Sequence, residues 1–327
     1  MFVSYRHESI RLTGRWDVRE ESEAICTAAG SYLDFCFEGR MAVARFNVLT
    51  NDQPRLHLWI RVDGGVMTEA PIDTALRIIC PEDGLHTVRI IYKGGTEQTA
   101  RWYAPLRGKV SFLGIACEKP VAIPPDTRKT IEFVGDSITE GVLIDDAPFY
   151  ENDMLNRPYQ DDVCATYAWR TAEALDLRPI FMGYGAVGLT RSGSGNVPPA
   201  ALAYPYNFDG SPITHTPSDI VLINHGANDR GKNDPVLYCE KYLELIRLIR
   251  AKNPDAMIVS LSAFCGAYHE ELGKAIADYN RQNGCDVKYI DTNGWIPVEP
   301  LHPHRDGHAE VARRLIPILG EILQGLK

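Results

Sequence analysis

Ser137 ends the short apolar run that opens the stretch Ile131 to Gly141, which reads Ile-Glu-Phe-Val-Gly-Asp-Ser-Ile-Thr-Glu-Gly. An apolar, partly β-branched run bounded by glycine reads as a buried strand, and Ser137 then falls just past its carboxyl end. Open α/β sheets hold their ligands at that edge. Gly135 lets the turn tighten, so the hydroxyl can be presented to a substrate instead of being packed away. The same residues also fit a plain strand-to-helix junction in which the serine is a cap.

Three further strand ends carry residues with chemical capacity. Gly183-Tyr-Gly-Ala-Val-Gly188 is a glycine-rich turn whose backbone amides could face a developing negative charge. Phosphate binding is the competing idea, but the spacing lacks the phosphate-loop pattern and no lysine follows. Ile223-Asn-His-Gly-Ala-Asn-Asp229 places Asn228 in a glycine turn, where its amide can donate into a cleft or merely close an Asn-Asp turn. His225 reads most simply as a partly buried histidine. The fourth block is Glu299-Pro-Leu-His-Pro-His-Arg-Asp-Gly-His308. A proline-stiffened loop holds the His302 imidazole outside any helix face, which suits a general base. Glu299, three residues earlier, could accept from the other ring nitrogen. His304 and His308 make a metal site conceivable, against the absence of paired cysteines or HExxH spacing.

These ends need a scaffold, and the period of the sequence supplies one. Strand-like runs at Ile131–Val134, Pro179–Met182, Ile220–Asn224, Met257–Leu261 and Val287–Ile290 alternate with helix-like runs near Thr166–Leu175, Pro235–Ala251, Glu270–Gln282 and Gly307–Leu323. Alternation of this kind implies a parallel sheet covered on both faces. Pro317 predicts a kink in the last helix. The first 119 residues read differently, as an all-β sandwich or jelly roll. Its strands are Tyr32–Phe37, Met41–Val48, Leu56–Val62, Ala75–Ile79, His86–Tyr92 and Val110–Ile115, separated by turns such as Glu38-Gly39 and Asp63-Gly64-Gly65. A proline-bearing stretch, residues 120–130, reads as a linker or strap ahead of a catalytic unit over 131–327.

Composition narrows the partners. Charged residues make up 24% of the 327 and the net charge is -9, which argues against nucleic acid or anionic membrane as the main partner. The start lacks a basic region followed by a long apolar one. Eight cysteines scattered without paired spacing read as buried free thiols, which fits a reducing cytoplasm. An exposed edge of the β-unit could pair with a second copy, though nothing selects a symmetry.

Taken together, Gly-Asp-Ser-Ile-Thr-Glu-Gly, the glycine turn, Gly-Ala-Asn-Asp and His-Pro followed by Gly-His resemble the four blocks of the SGNH, or GDSL-type, hydrolases. The resemblance covers about Ile131 to Lys327. It implies Ser137 as nucleophile and His302 as general base, with Gly188, Asn228 and the Ser137 amide as oxyanion donors. Where the family usually has aspartate, this chain has Glu299, so both a triad and a Ser-His dyad remain open. The preceding β-domain is similar to the arrangement in carbohydrate esterase family 2. That resemblance implies an acetylesterase without cofactor, acting on an acetylated oligosaccharide or another small ester. A general short-chain esterase or thioesterase and a non-catalytic carbohydrate-binding protein are the alternatives. Asp136, Tyr184 and Trp295 are the candidate substrate contacts, Trp295 fitting core packing better than a sugar platform. The polar stretch between Gly141 and Thr166 reads as a rim of the cleft or a plain surface loop.

Overall fold

The computed structural model describes residues 1–145, 156–231 and 234–325. Its first part is an antiparallel sandwich of β1 (Phe2–Ser4), β2 (Ile10–Thr13), β3 (Ala24–Cys26), β4 (Tyr32–Phe46), β5 (His57–Val62), β6 (Thr68–Pro71), β7 (Ala75–Ile79), β8 (Leu85–Gly94) and β9 (Val110–Val121). The long β4 is the spine, flanked by β8 then β7 on one side and by β2 then β9 on the other. Glu38-Gly39 is therefore not a turn between two strands. It is a bulge inside one, where the register with β9 slips and Gly39 takes φ +123°. Side chains alternate faces along a strand, so the bulge flips the phase. Phe35 and Phe37 face the core before it, and Ala42, Ala44 and Phe46 after it.

The second part alternates strand and helix, as its periodicity predicts. It runs β10 (Thr130–Gly135), α1 (Ser137–Glu140), α2 (Arg157–Gln160), α3 (Tyr167–Ala174), β11 (Arg178–Gly183), α4 (Ala200–Ala203), a hairpin of β12 (Tyr206–Phe208) and β13 (Ser211–Pro212), then β14 (Ile220–Asn224). It ends with α5 (Pro235–Lys252), β15 (Met257–Leu261), α6 (His269–Asn283), β16 (Lys288–Ile290) and α7 (Arg305–Gly325). The main sheet has the order β11-β10-β14-β15-β16 and every pair in it is parallel. Helix α3 packs on α7, while α5 packs on α4 and α6. Local chemistry sets the helix starts: Asp234 accepts from Val236 N–H with Pro235 following, and Thr166 accepts from Trp169 N–H. Helix α7 continues through Pro317, whose missing N–H leaves the Arg313 carbonyl without its helical donor.

Register explains why three of the four motifs converge. Gly135 at the end of β10 pairs with Gly183 of β11 and with Asn224 of β14, so the residues after these three strands leave the sheet side by side. The β-unit is welded to this sheet. Trp169 stacks on Phe181 at 5.8 Å and meets Tyr32 of β4 edge-on at 6.0 Å, within one continuous core. Gly30 allows the approach, since a Cβ there would lie 2.4 Å from Phe181 Cδ2. Pairing of β9 with β4 persists through Val121, which shortens the expected linker to residues 122–129. That segment is a strap over the β-unit, with Ile123 N–H donating to Glu8 O at 3.0 Å and Arg11 to Pro124 O at 2.6 Å.

Candidate active site

Ser137 opens the single turn α1, capped by the Asp136 carboxylate, which accepts from Ile138 N–H at 3.1 Å. Gly141 closes it in the left-handed region at φ 84°. At the first position of a helix the Ser137 N–H has no intrahelical acceptor, which leaves it available to a ligand oxygen. The hydroxyl faces His302, whose Nε2 lies 2.9 Å from Ser137 Oγ. With the ring proton on Nδ1, Nε2 is the acceptor for the serine proton. Two residues from chain positions 165 apart are thus in hydrogen-bond contact.

The histidine loop is anchored from behind. His308, buried in α7, accepts from Tyr167 N–H through Nδ1 at 3.1 Å, and its ring stacks on Tyr167 at 6.0 Å. Tyr167 in turn hydrogen-bonds Thr139 of α1 at 3.0 Å. Burial pushes the His308 pKa down to about 3, so the ring is neutral, with Nδ1 occupied as an acceptor. That use of Nδ1 does not fit a metal ligand. Arg305, at the start of α7, is held by Asp162, which also accepts from Trp59 of the β-unit at 3.0 Å.

The glycine turn is shaped by close packing. Gly185 N–H donates to Glu140 Oε2 at 2.6 Å, and Gly188 N–H donates to Arg191 O at 3.1 Å. Asn228 Nδ2 donates to Val187 O at 3.0 Å, which orients its amide and leaves its second N–H for another acceptor. Asp229, buried beside it, accepts from Leu189 N–H at 2.9 Å and from both Thr190 N–H and Thr190 Oγ1. A Cβ at Gly188 would sit 2.9 Å from that carboxylate. Amides read from the sequence as free to meet a negative charge are, at 185 and 188, bonded within the protein.

Other sequence expectations need correction. The Glu299 side chain is 70% exposed and pairs with Arg230 at 3.5 Å, and no hydrogen bond or ion pair joins it to His302. In this chain the loop turns the Glu299 carboxylate outward to Arg230 instead of toward the ring. Tyr184 is fully buried, its hydroxyl donating to Asn207 O at 3.1 Å, so it offers no surface to a substrate. Asp136 is a buried cap whose pKa is pushed up to about 7, by burial first. Trp295 is half-buried against the core with Arg314 over its ring at 5.9 Å, which is the packing role. His225 is wholly buried. Of the stretch between Gly141 and Thr166, residues 146–155 lie outside the described residues. The sequence reading missed Arg101, Glu140, Asp162 and Asp229, because braces between distant elements leave no local spacing to find.

Glu299→Gln is expected to keep kcat within about fivefold of wild type, since an exposed ion pair is worth roughly 0–1 kcal/mol. Steady-state hydrolysis of p-nitrophenyl acetate checks this. A loss of about a hundredfold or more would restore Glu299 as the partner of His302.

A serine and an imidazole in contact at the carboxyl edge of a parallel sheet define a serine acyl hydrolase. Residues 133–310 match the GDSL-like Lipase/Acylhydrolase family, and the chain belongs to that family. Over 257 residues it is 26% identical to an acetylxylan esterase / glucomannan deacetylase of Cellvibrio japonicus, a match covering 74% of this chain and 69% of that protein. The fold is similar to the structure of a family two carbohydrate esterase from Cellvibrio japonicus, with TM-score 0.83 and 20% identity over 100% of this chain and 99% of the other. A second family two carbohydrate esterase, from Clostridium thermocellum in complex with cellohexaose, gives TM-score 0.78 and 22% identity over 96% and 99% of the chains. Both matches take in the β-unit as well as the hydrolase sheet.

Proposed function

We propose that this chain is a serine esterase that removes acetyl groups from an oligosaccharide or glycoside through an acyl-enzyme on Ser137. The observation that carries the reading is the 2.9 Å contact between His302 Nε2 and Ser137 Oγ. His302 takes the serine proton as Oγ attacks the ester carbonyl, and returns it to the departing alcohol as the tetrahedral intermediate collapses. Water, activated by the same imidazole, then releases acetate. The oxyanion is assigned to the Ser137 N–H and the second N–H of Asn228. The glycine turn serves the oxyanion through Val187 O, which orients the Asn228 amide. One such donor is worth about 10²–10³ in kcat.

The acetyl and sugar parts of the reading are supported by the relatives, which are named for xylan and glucomannan deacetylation and seen with cellohexaose. A reducing compartment is supported by the eight cysteines, all unpaired and six of them buried. Hydrolysis of p-nitrophenyl esters of two, four and eight carbons, with acetate release from acetylated xylo-oligosaccharide alongside, tests the substrate. The expected result is preference for acetyl together with sugar deacetylation. Preference for the longer chains without sugar activity would make the protein a general esterase instead.

A further inference from the structure

The loop from Thr96 to Arg101 belongs to the β-unit, between β8 and β9, yet it is built into the catalytic turn. Arg101 is completely buried, and its two terminal nitrogens bond the two oxygens of the Glu140 carboxylate. Its guanidinium also lies 5.1 Å from the centre of the Tyr184 ring. Glu140 ends the same helical turn that Ser137 begins, and its Oε2 takes the Gly185 N–H at 2.6 Å. One guanidinium from the β-unit thereby holds a carboxylate that ties the nucleophile turn to the glycine turn.

Independent packing locks the same loop in place. Arg101 N–H donates to Gly195 O at 3.3 Å, and Ser194 Oγ donates to Glu97 Oε1 at 3.3 Å. Ser194 N–H closes the turn onto Gly185 O at 2.9 Å. A Cβ at Gly185 would fall 2.3 Å from Glu97 Cγ, and one at Gly195 would fall 2.4 Å from Thr99 O. Those glycines are needed because the β-unit presses its loop against the turn, and Gly185 lies three residues before Gly188 and Asn228's acceptor Val187 follows it by two.

We infer that Arg101 of the N-terminal β-unit is a positioning residue of the acyl-transfer site, setting the spacing between Ser137 and the oxyanion turn through Glu140 and Gly185. The inference rests on the esterase reading. It makes the β-unit part of the catalytic apparatus. A planar fork that grips two carboxylate oxygens has no equivalent in lysine, and a misplacement of about 1 Å can cost about 10² in rate.

The test uses the full chain with three variants, Arg101→Lys, Arg101→Met and Arg101→Met combined with Glu140→Met, compared with wild type by kcat, KM and thermal melting. Replacing both partners removes the buried charges together, so the double variant is expected to melt closer to wild type than Arg101→Met. Its kcat is nevertheless expected to fall by about tenfold or more at little-changed KM, because Gly185 N–H has lost its acceptor. Arg101→Lys is expected to recover part of that rate. Amide hydrogen exchange is expected to show Gly185 losing protection in the folded double variant. If wild type is active while the folded double variant keeps kcat within about twofold, Arg101 is structural only and the inference is overturned. If wild type hydrolyses none of the esters and is not labelled at Ser137 by a serine-directed phosphonate, the esterase reading fails and takes the inference with it.

Discussion

Ser137→Ala is expected to abolish ester hydrolysis while the protein still folds. The hydroxyl is the attacking group, and its Oγ lies 2.9 Å from the His302 Nε2. Knocking out the nucleophile or base of such a pair costs on the order of 10⁴–10⁶ in kcat, because both act in one step. The structural cost is small. Alanine removes one hydrogen bond, worth about 1 kcal/mol, and keeps the backbone of the turn. His302→Ala is expected to cost a similar factor, and the double variant little more than either alone. Rates on p-nitrophenyl acetate with melting curves for all three variants check this. A Ser137→Ala protein that folds and retains more than about a hundredth of wild-type kcat would remove Ser137 from the chemistry.

Glu132→Ala is expected to destabilise the protein by about 3–5 kcal/mol, the cost of leaving a buried charge without its partner. The side chains of Glu132 in β10 and Arg15, two residues past the end of β2, are both fully buried, 2.8 Å apart. Arg15 also donates to the carbonyls of Tyr204 and Tyr206, and Tyr204 donates its hydroxyl to Glu132 at 2.9 Å. Burial alone would raise the Glu132 pKa, but the Arg15 charge, His215 and the two hydrogen bonds more than offset it, and the net shift is downward. A carboxylate with a lowered folded-state pKa stabilises above its unfolded value and loses that contribution as pH falls through the folded one. The gap between wild type and variant should therefore be full at neutral pH and narrow in acid. Urea unfolding at neutral and acidic pH measures it. A gap under about 1 kcal/mol at neutral pH would mean that the weld between the two units lies elsewhere.

The strands β10, β11, β14 and β15 were legible because a buried parallel strand is a short apolar run with turn residues at its end. The sandwich was legible in outline only. Tyr32–Phe37 and Met41–Val48 read as two strands because Gly39 is a turn residue by type. Only pairing with β9 makes it a bulge. Glu299 and Tyr184 failed for related reasons. Spacing along the chain carries no information on which way an irregular loop points its carboxylate, and an aromatic residue near a motif faces inward as readily as outward.

Residue type and order by themselves determined that this chain carries a serine and an asparagine just past strands of one α/β sheet and a histidine in the loop before its last helix. Those properties are local, set by hydrophobic period and by what glycine and proline permit in a turn. The tertiary structure alone decided that Ser137 and His302 meet and that the glycine amides are bonded to Glu140 and Arg191. It also decided that Arg15 and Arg101 reach from the β-unit into the catalytic half. The physical reason is that a buried ion pair between residues far apart in the chain is specified by packing in space, and each half of it looks, in sequence, like any other surface charge.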